Sequence, residues 1–362
     1  MPDKKKKGSL NYIGVDIGKR DCVVCIMDSD GSIIEETKYN NTLDHAKSFA
    51  SYVKKKHGVG KSTITAVCES TGNLWLKTYH AFEKYNIDVK LANPLKTKAI
   101  AEARIKTDKL DARTLAHLLR SDLVAECYIA NKKTREERSL LRLRTNLVQD
   151  RTRVINRTHS LLDKYDMNFG YSKIFGIKGL QWLRDLRVIG NDQILLQEYI
   201  SQIDFLTTEI KNIESKIRIE ASKNESVKIL MSMTGIDYFS AMMISSEIGD
   251  INRFSSPQKL VSWAGLCPSV HQSGNSLYMG RMKDGNKKVR WILIEAANTA
   301  SRTDDRLRKF YIRLVKRHGR HIAITHVANK MCTIIWHMLK YKKLYNERKP
   351  NLYKTKLKRI QN

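Results

Sequence analysis

Apolar and polar positions follow two different periods along the first third of the chain. Tyr12 to Ile17, Val23 to Met27 and Ile33 to Tyr39 read as three short strands, with an Asp-Ser-Asp-Gly turn at Asp28 to Gly31 between the second and third. Leu43 to Lys56 changes to helical spacing through Ala46, Phe49 and Val53. Ile64 to Cys68 is apolar throughout and predicts a buried fourth strand. Leu74 to Tyr85 predicts a helix, Val89 to Ala92 a fifth strand stopped by Asn93-Pro94, and Lys96 to Leu119 one further helix. Thr134 to Lys164 predicts a long helix studded with arginines. A loop containing Gly170, Gly176 and Gly179 then leads to a second long helix. Its apolar positions Leu196, Tyr199, Ile203, Leu206, Ile210, Ile213 and Ile217 form a heptad seam. Such a seam serves a hairpin within one chain and pairing between chains equally well.

From Ser226 the style changes. Leu230 to Asp237 sets a turn at Gly235 ahead of a helix through Ala241, Ile244 and Ile248. This pattern resembles a helix-hairpin-helix, in which backbone N–H groups at a helix N-terminus meet a phosphate. Basic helices follow from Arg302, with a tail expected to fray after Pro350. The element order β-β-β-α-β-α-β-α at the start is that of an α/β ribonuclease-H (RuvC-like) domain. The expected division is an α/β unit at 1–130, a long-helix coiled-coil region at 131–225, and a mainly α unit at 226–362.

Composition sharpens the picture. Hydrophobic residues make up 41% and charged residues 28%, which is globular. No apolar run approaches the roughly 20 residues of a membrane span. The Met1 to Lys7 segment has no apolar core after it, so a cytoplasmic protein is expected. The six cysteines are scattered and expected to be reduced, and the lone Cys22-x-x-Cys25 pair lacks the second pair of a zinc site. Net charge is +29, and Arg302 to Asn362 holds 18 Lys/Arg against 3 Asp/Glu. That asymmetry points to a nucleic-acid partner without choosing DNA or RNA.

Four carboxylates share a pattern. Asp16 ends the first strand, Glu69 follows the fourth, and Asp108 and Asp111 lie on one face of a later helix. In a ribonuclease-H-like sheet the first and fourth strands are neighbours, so all four could converge. Clustered carboxylates repel without cations, and hard oxygen donors select Mg²⁺ or Mn²⁺. Taken singly, each acid has an ordinary explanation: Asp108 as a helix cap, Asp111 as a partner of Arg104 or Lys106.

Here the chain resembles the DEDD insertion-sequence transposases related to Piv-type DNA invertases. The matching motifs are Gly14-x-Asp16, Glu69-Ser70-Thr71-Gly72 and Lys106-Thr107-Asp108-x-x-Asp111-Ala112, within a resemblance running from about Asn11 to Thr303. A second block comprises Gly265-Leu266-Cys267-Pro268, Ser273-Gly274, Gly280 through Lys283 to Gly285-Asn286, and Arg290. The resemblance implies that Ser273 attacks a DNA phosphate and forms a phosphoserine link. It further implies a homo-oligomer, dimer or tetramer, in which acids of one subunit and serine of another form a composite site. An element-encoded guide RNA is implied beside donor and target DNA, in a bacterial or archaeal cell. The usual Ser-Ser-Gly-Gly run is Gln272-Ser273-Gly274-Asn275 here, leaving Ser269 and Ser276 as alternatives. Arg281, Lys283, Lys287 and Arg290 could hold phosphate. His271, His318, His321 and His326 have no zinc-site spacing. A plain metal-dependent junction nuclease would need the four acids but not Ser273. A non-catalytic RNA-binding protein would leave the acids unexplained.

Overall fold

The computed structural model describes residues 10–58, 63–70, 72–100, 107–165, 173–273, 276–282, 284–346 and 348–361, with side chains undescribed at 270–279 and 281. The chain divides into two units, Met1–Ile129 and Ala130–Asn362.

In the first unit, β1 (Leu10–Ile17), β2 (Asp21–Met27) and β3 (Ile33–Asn40) form an antiparallel meander. Then come α1 (Leu43–His57), β4 (Thr63–Glu69), α2 (Trp75–Lys84), β5 (Asp88–Ala92), α3 (Pro94–Ile100) and α4 (Asp108–Arg120). Strands β4 and β5 join parallel, giving one sheet of order β3-β2-β1-β4-β5. This mixed sheet is consistent with the ribonuclease-H-like, RuvC-like domain expected from the element order. Alternation of side chains sends Ile13, Val15, Cys22 and Val24 to a face covered by Ala46, Phe49 and Val53 of α1 and Phe82 of α2. The other face carries Cys25, Met27, Val67 and Ala92, packed against Ala112, Leu115, Ala116 and Leu119 of α4. The single helix expected over Lys96 to Leu119 is not formed. Thr107 is extended (φ −140°, ψ 149°), and its side chain accepts a hydrogen bond from the Leu110 N–H. That N-cap starts a new helix at Asp108, and residues 101–106 lie outside the described set.

The second unit opens with α5 (Lys132–Leu162), α6 (Ile177–Asp185) and α7 (Asn191–Lys223). Helices α5 and α7 run antiparallel, since Arg144 meets Glu214, Arg151 meets Thr207 and Lys164 meets Asp192. Leu196, Ile203, Ile210, Ile213 and Ile217 of the heptad seam are buried. They are covered within this chain, Leu196 by Leu161 and Leu162, and Ile213 and Ile217 beside Leu141. Next come α8 (Glu225–Met231), α9 (Tyr238–Ile248), α10 (Pro257–Trp263) and a hairpin of β6 (Pro268–Ser273) and β7 (Ser276–Met282). The unit ends with α11 (Lys287–Thr303), α12 (Asp305–His318), α13 (Arg320–Tyr341) and α14 (Pro350–Gln361). One apolar core joins Leu141 and Ile217 to Leu230, Ala296 and Met331.

The tail after Pro350 is helical and docked rather than frayed. Lys356 is 6% exposed. Its Nζ donates to the carbonyls of Met231 (3.0 Å), Met233 (2.9 Å) and Ile236 (2.7 Å). These carbonyls lie at the end of α8 and in the turn after it, where helix geometry leaves acceptors without partners. Burial pushes the Lys356 ammonium down to about 8. All six cysteines are free. Among the described residues no helix is long and apolar enough to cross a membrane.

Candidate functional site

The acidic end of the sheet follows from strand register. Val15 of β1 lies opposite Cys68 of β4. Asp16 and Glu69 are therefore the next pair on neighbouring parallel strands, both half-buried. Side chains alternate every residue along a strand, so Asp16 shares the face of Gly14. Helix α4 crosses that face. A Cβ on Gly14 would stand 2.1 Å from the Ala112 carbonyl oxygen and 2.6 Å from the Ala116 nitrogen, so only glycine admits the helix this close. At its other end, Arg120 reaches Gly31 in the β2–β3 turn, at the edge of the sheet where β1 begins. Helix α4 thus runs antiparallel to β1. Its first turn, with Asp108 and Asp111, lies toward the end where β1 and β4 finish with Asp16 and Glu69.

A second restraint holds α4. Arg113 forms an ion pair with Glu36 of β3, its Nη2 donating to Oε2 at 2.8 Å. That hydrogen bond keeps the Glu36 carboxyl below its ordinary value. Thr107 is the N-cap, its side chain accepting from the Leu110 N–H, so Asp108 is not the capping residue. Burial, with Glu69 a lesser cause, pushes the neighbouring Cys68 thiol up to about 12, so it is no nucleophile. The donor set is all carboxylate oxygen, the chemistry that suits Mg²⁺ or Mn²⁺. Among the described residues, however, no group of three or more His, Cys, Asp or Glu side chains is gathered to hold an ion. Arg104, Lys106 and Thr71 of the motifs lie outside the described residues.

In the second unit the serine motif is the root and tip of a hairpin. Ser273 ends β6 opposite Ser276 of β7. Gly274, Asn275 and Lys283 lie outside the described residues, as do the side chains of His271, Ser273, Ser276 and Arg281. The root is well defined. Gly285 packs against Gly265, and a Cβ there would stand 2.4 Å from the Gly265 nitrogen. The Asn286 N–H donates to the Trp263 carbonyl (2.9 Å). The Leu266 carbonyl accepts from Asn329 (3.0 Å). Arg290, expected to hold phosphate, donates to the Gly265 carbonyl (3.3 Å) and so braces the root. Lys287 is exposed at the first position of α11. His318, His321 and His326 gather no metal site, although the His318 and His326 rings are 6.1 Å apart.

Sequence reasoning missed the hub of this root. Glu247 is 4% exposed. Its carboxylate accepts from Arg142 of α5 (2.9 Å) and from Asn286 Nδ2 (2.9 Å). Arg138 donates to the Ser246 and Glu247 carbonyls at 2.8 and 3.0 Å. Asn286 Oδ1 in turn caps α11 by accepting from the Lys288 and Val289 N–H groups. The motif's Asn therefore links the hairpin's exit to α9 and, through Glu247, to α5. The available signal was Glu247 itself, the one charged residue of α9.

The helix-hairpin-helix-like turn has Gly235 at φ +85°, where a Cβ would also stand 2.5 Å from the Ala296 carbonyl oxygen. Both the conformation and the approach to α11 require glycine.

Comparison with known proteins identifies the class. Residues 13–167 match the DEDD transposase model of the IS110 type, described as "Transposase". Residues 227–312 match the model described as "Transposase IS116/IS110/IS902 family". The chain is 28% identical to the transposase for insertion sequence element IS1111A of Coxiella burnetii, over 94% of each chain. It is 22% identical to the transposase for insertion sequence element IS1328 of Yersinia enterocolitica, over 91% of this chain and 96% of that one. It is 25% identical to the pilin gene-inverting protein of Moraxella bovis, over 75% and 76% of the two chains. The chain belongs to the IS110-type DEDD transposases, related to the Piv-type inverting proteins. It is an enzyme of DNA transposition and recombination.

Proposed function

We propose that this transposase cuts and rejoins DNA with two sets of groups: the carboxylates of Asp16, Glu69, Asp108 and Asp111, and the hydroxyl of Ser273. The observation that carries the reading is the shared end of the sheet. Asp16 and Glu69 are adjacent by register, and the acidic first turn of α4 lies over the same end. These four side chains would hold Mg²⁺ or Mn²⁺, and a bound divalent ion supplies positive charge as the phosphate becomes more anionic. Ser273 ends β6 opposite Ser276, at the tip of the hairpin. Its oxygen forms a bond to phosphorus as one phosphodiester P–O bond breaks. The serine loses a proton and the departing sugar oxygen gains one, so the exchange conserves bond type and reverses when a DNA hydroxyl attacks the phosphoserine.

The finer organisation belongs to the same reading. Units 1–130, 131–225 and 226–362 act as a RuvC-like domain, a coiled-coil arm and a serine-bearing transposase domain. The hairpin of α5 and α7 is the coiled coil, and its exposed Phe205, Ile194 and Ile219 offer a surface for a second copy. The α8–α9 turn at Gly235 serves as a helix-hairpin-helix, and Arg281, Lys283 and Lys287 contact phosphate. The guide RNA rests on the family resemblance and on the net charge of +29. Strand cleavage with Mg²⁺ tests the core of this reading. Asp16→Asn, Glu69→Gln, Asp108→Asn and Asp111→Asn should each abolish cleavage while the circular dichroism spectrum stays unchanged. Recombination at wild-type rates by any two of them contradicts the metal site.

A further inference from the structure

Helix α12 carries six Lys/Arg and one Asp in 14 residues, and contains no Asn, Gln, Ser or Thr. Arg306, Lys309, Arg313 and Lys316 recur at intervals of three and four, which stacks them in one stripe. Together with Lys330 of α13, the first three line a groove of about 550 Å³ floored by Leu307 and Phe310. A second groove of about 420 Å³ continues it past Lys316 and Arg317. Among the described residues neither lining includes a carboxylate. Among the described residues Lys309, Lys316, Arg317 and Lys330 form no ion pair. The Arg313 guanidinium lies over the Phe310 ring at 5.5 Å, which holds it at the groove without neutralising it. Asp304, the acid before the helix, is buried as its N-cap, its carboxylate accepting from the Leu307 N–H.

We infer that this face of α12, with the groove it forms against α13, is a sequence-independent seat for the sugar-phosphate backbone of duplex DNA. Uncompensated cations repel one another, and a polyanion is the partner that relieves the repulsion while releasing its own counterions. The stripe from Lys309 to Lys316 extends about 10 Å at 1.5 Å per residue, which faces about three phosphates of one strand at about 3.4 Å each. Contacts from lysine and arginine to phosphate oxygens fix a duplex in place and carry no sequence information. The family model stops at residue 312, so much of the stripe lies outside the shared motifs. The inference rests only on the chain being a DNA transposase, not on the acid or serine assignments.

Equilibrium binding of a short labelled DNA duplex to the full chain, in EDTA to prevent cleavage, tests it. The variant Lys309→Gln/Arg313→Gln/Lys316→Gln should bind roughly tenfold to a hundredfold more weakly near physiological salt. Its log–log salt slope should fall by about two to three, at about 0.9 per phosphate contact. Arg313→Lys, which keeps the charge, should retain the wild-type slope, and this holds the test open if the triple variant folds poorly. Lys354→Gln/Lys358→Gln on α14 removes two charges elsewhere and should leave the slope nearly unchanged. An unaltered slope in the triple variant overturns the seat. So does an equal loss from the α14 variant, which would mean that only total charge matters. Weakened retention of a structured RNA hairpin with unchanged duplex binding overturns the choice of DNA.

Discussion

Replacing Gly14 by Ala adds one carbon at the tightest point of the acidic unit. The new Cβ would lie 2.1 Å from the Ala112 carbonyl oxygen. An ordinary carbon–oxygen contact is about 3.3 Å, so α4 and β1 must separate by about 1.2 Å. The obstacle is helix backbone, so no rotamer relieves it. Overpacking of this kind costs about 1–3 kcal/mol, or about 4–12 °C in Tm for a unit of this size. The functional loss should be larger than the stability loss suggests, because Asp111 is adjacent to the displaced Ala112. A misplacement of about 1 Å costs about a hundredfold in rate. Thermal unfolding of the full chain and Mg²⁺-dependent strand cleavage well below Tm would be measured together. Phe49→Leu is the control: it loosens the core on the opposite face, away from α4, and should lower Tm without slowing cleavage. Wild-type Tm and wild-type cleavage in Gly14→Ala would refute the argument that this glycine sets the distance between the acids. Equal slowing in Phe49→Leu would show that any loosening of the unit suffices.

Two further expectations concern the second unit. Glu247→Ala leaves the guanidinium of Arg142 and the amide of Asn286 without their buried acceptor and should cost about 3–5 kcal/mol in denaturant unfolding, with Glu247→Gln costing less; a midpoint unchanged in Glu247→Ala would mean that the network is ornamental. Burial lowers Lys356 from 10.5 to about 8, so between those values the unfolded chain binds more protons than the folded one. Wild-type stability relative to Lys356→Met should therefore rise as pH increases through that window, and a fall across it would mean that the ammonium is not desolvated.

The five strands and their order were legible because each carries a period-two or fully apolar run closed by a turn signal. Asp28 to Gly31 and Asn93-Pro94 are examples. The break before Asp108 was not legible from hydrophobic spacing, since apolar residues continue on both sides. A single hydrogen bond, from the Leu110 N–H to the Thr107 side chain, decides it. The motif acids were visible as residue types at strand ends. The reason for their glycine and alanine companions was not, because the meeting of Gly14 with Ala112 joins positions 98 residues apart. The same limit hid Glu247, whose partners Arg142 and Asn286 lie 105 and 39 residues away. In the basic tail the charge was visible but not its use within the fold, where Lys356 donates to three carbonyls and Arg359 pairs with Asp237.

Covalent trapping on a suicide DNA substrate tests the central claim most directly. Wild-type protein should form a DNA-linked species through Ser273, and Ser273→Ala, which removes a hydroxyl and little volume, should form none. Ser269→Ala and Ser276→Ala should trap as the wild type does. Asp108→Asn should fail to trap, because an unactivated serine hydroxyl does not attack at a useful rate. If Ser273→Ala gives covalent complex in undiminished yield, Ser273 is not the nucleophile and another residue carries the link; a wild-type protein that cleaves without any covalent complex would act as a plain nuclease.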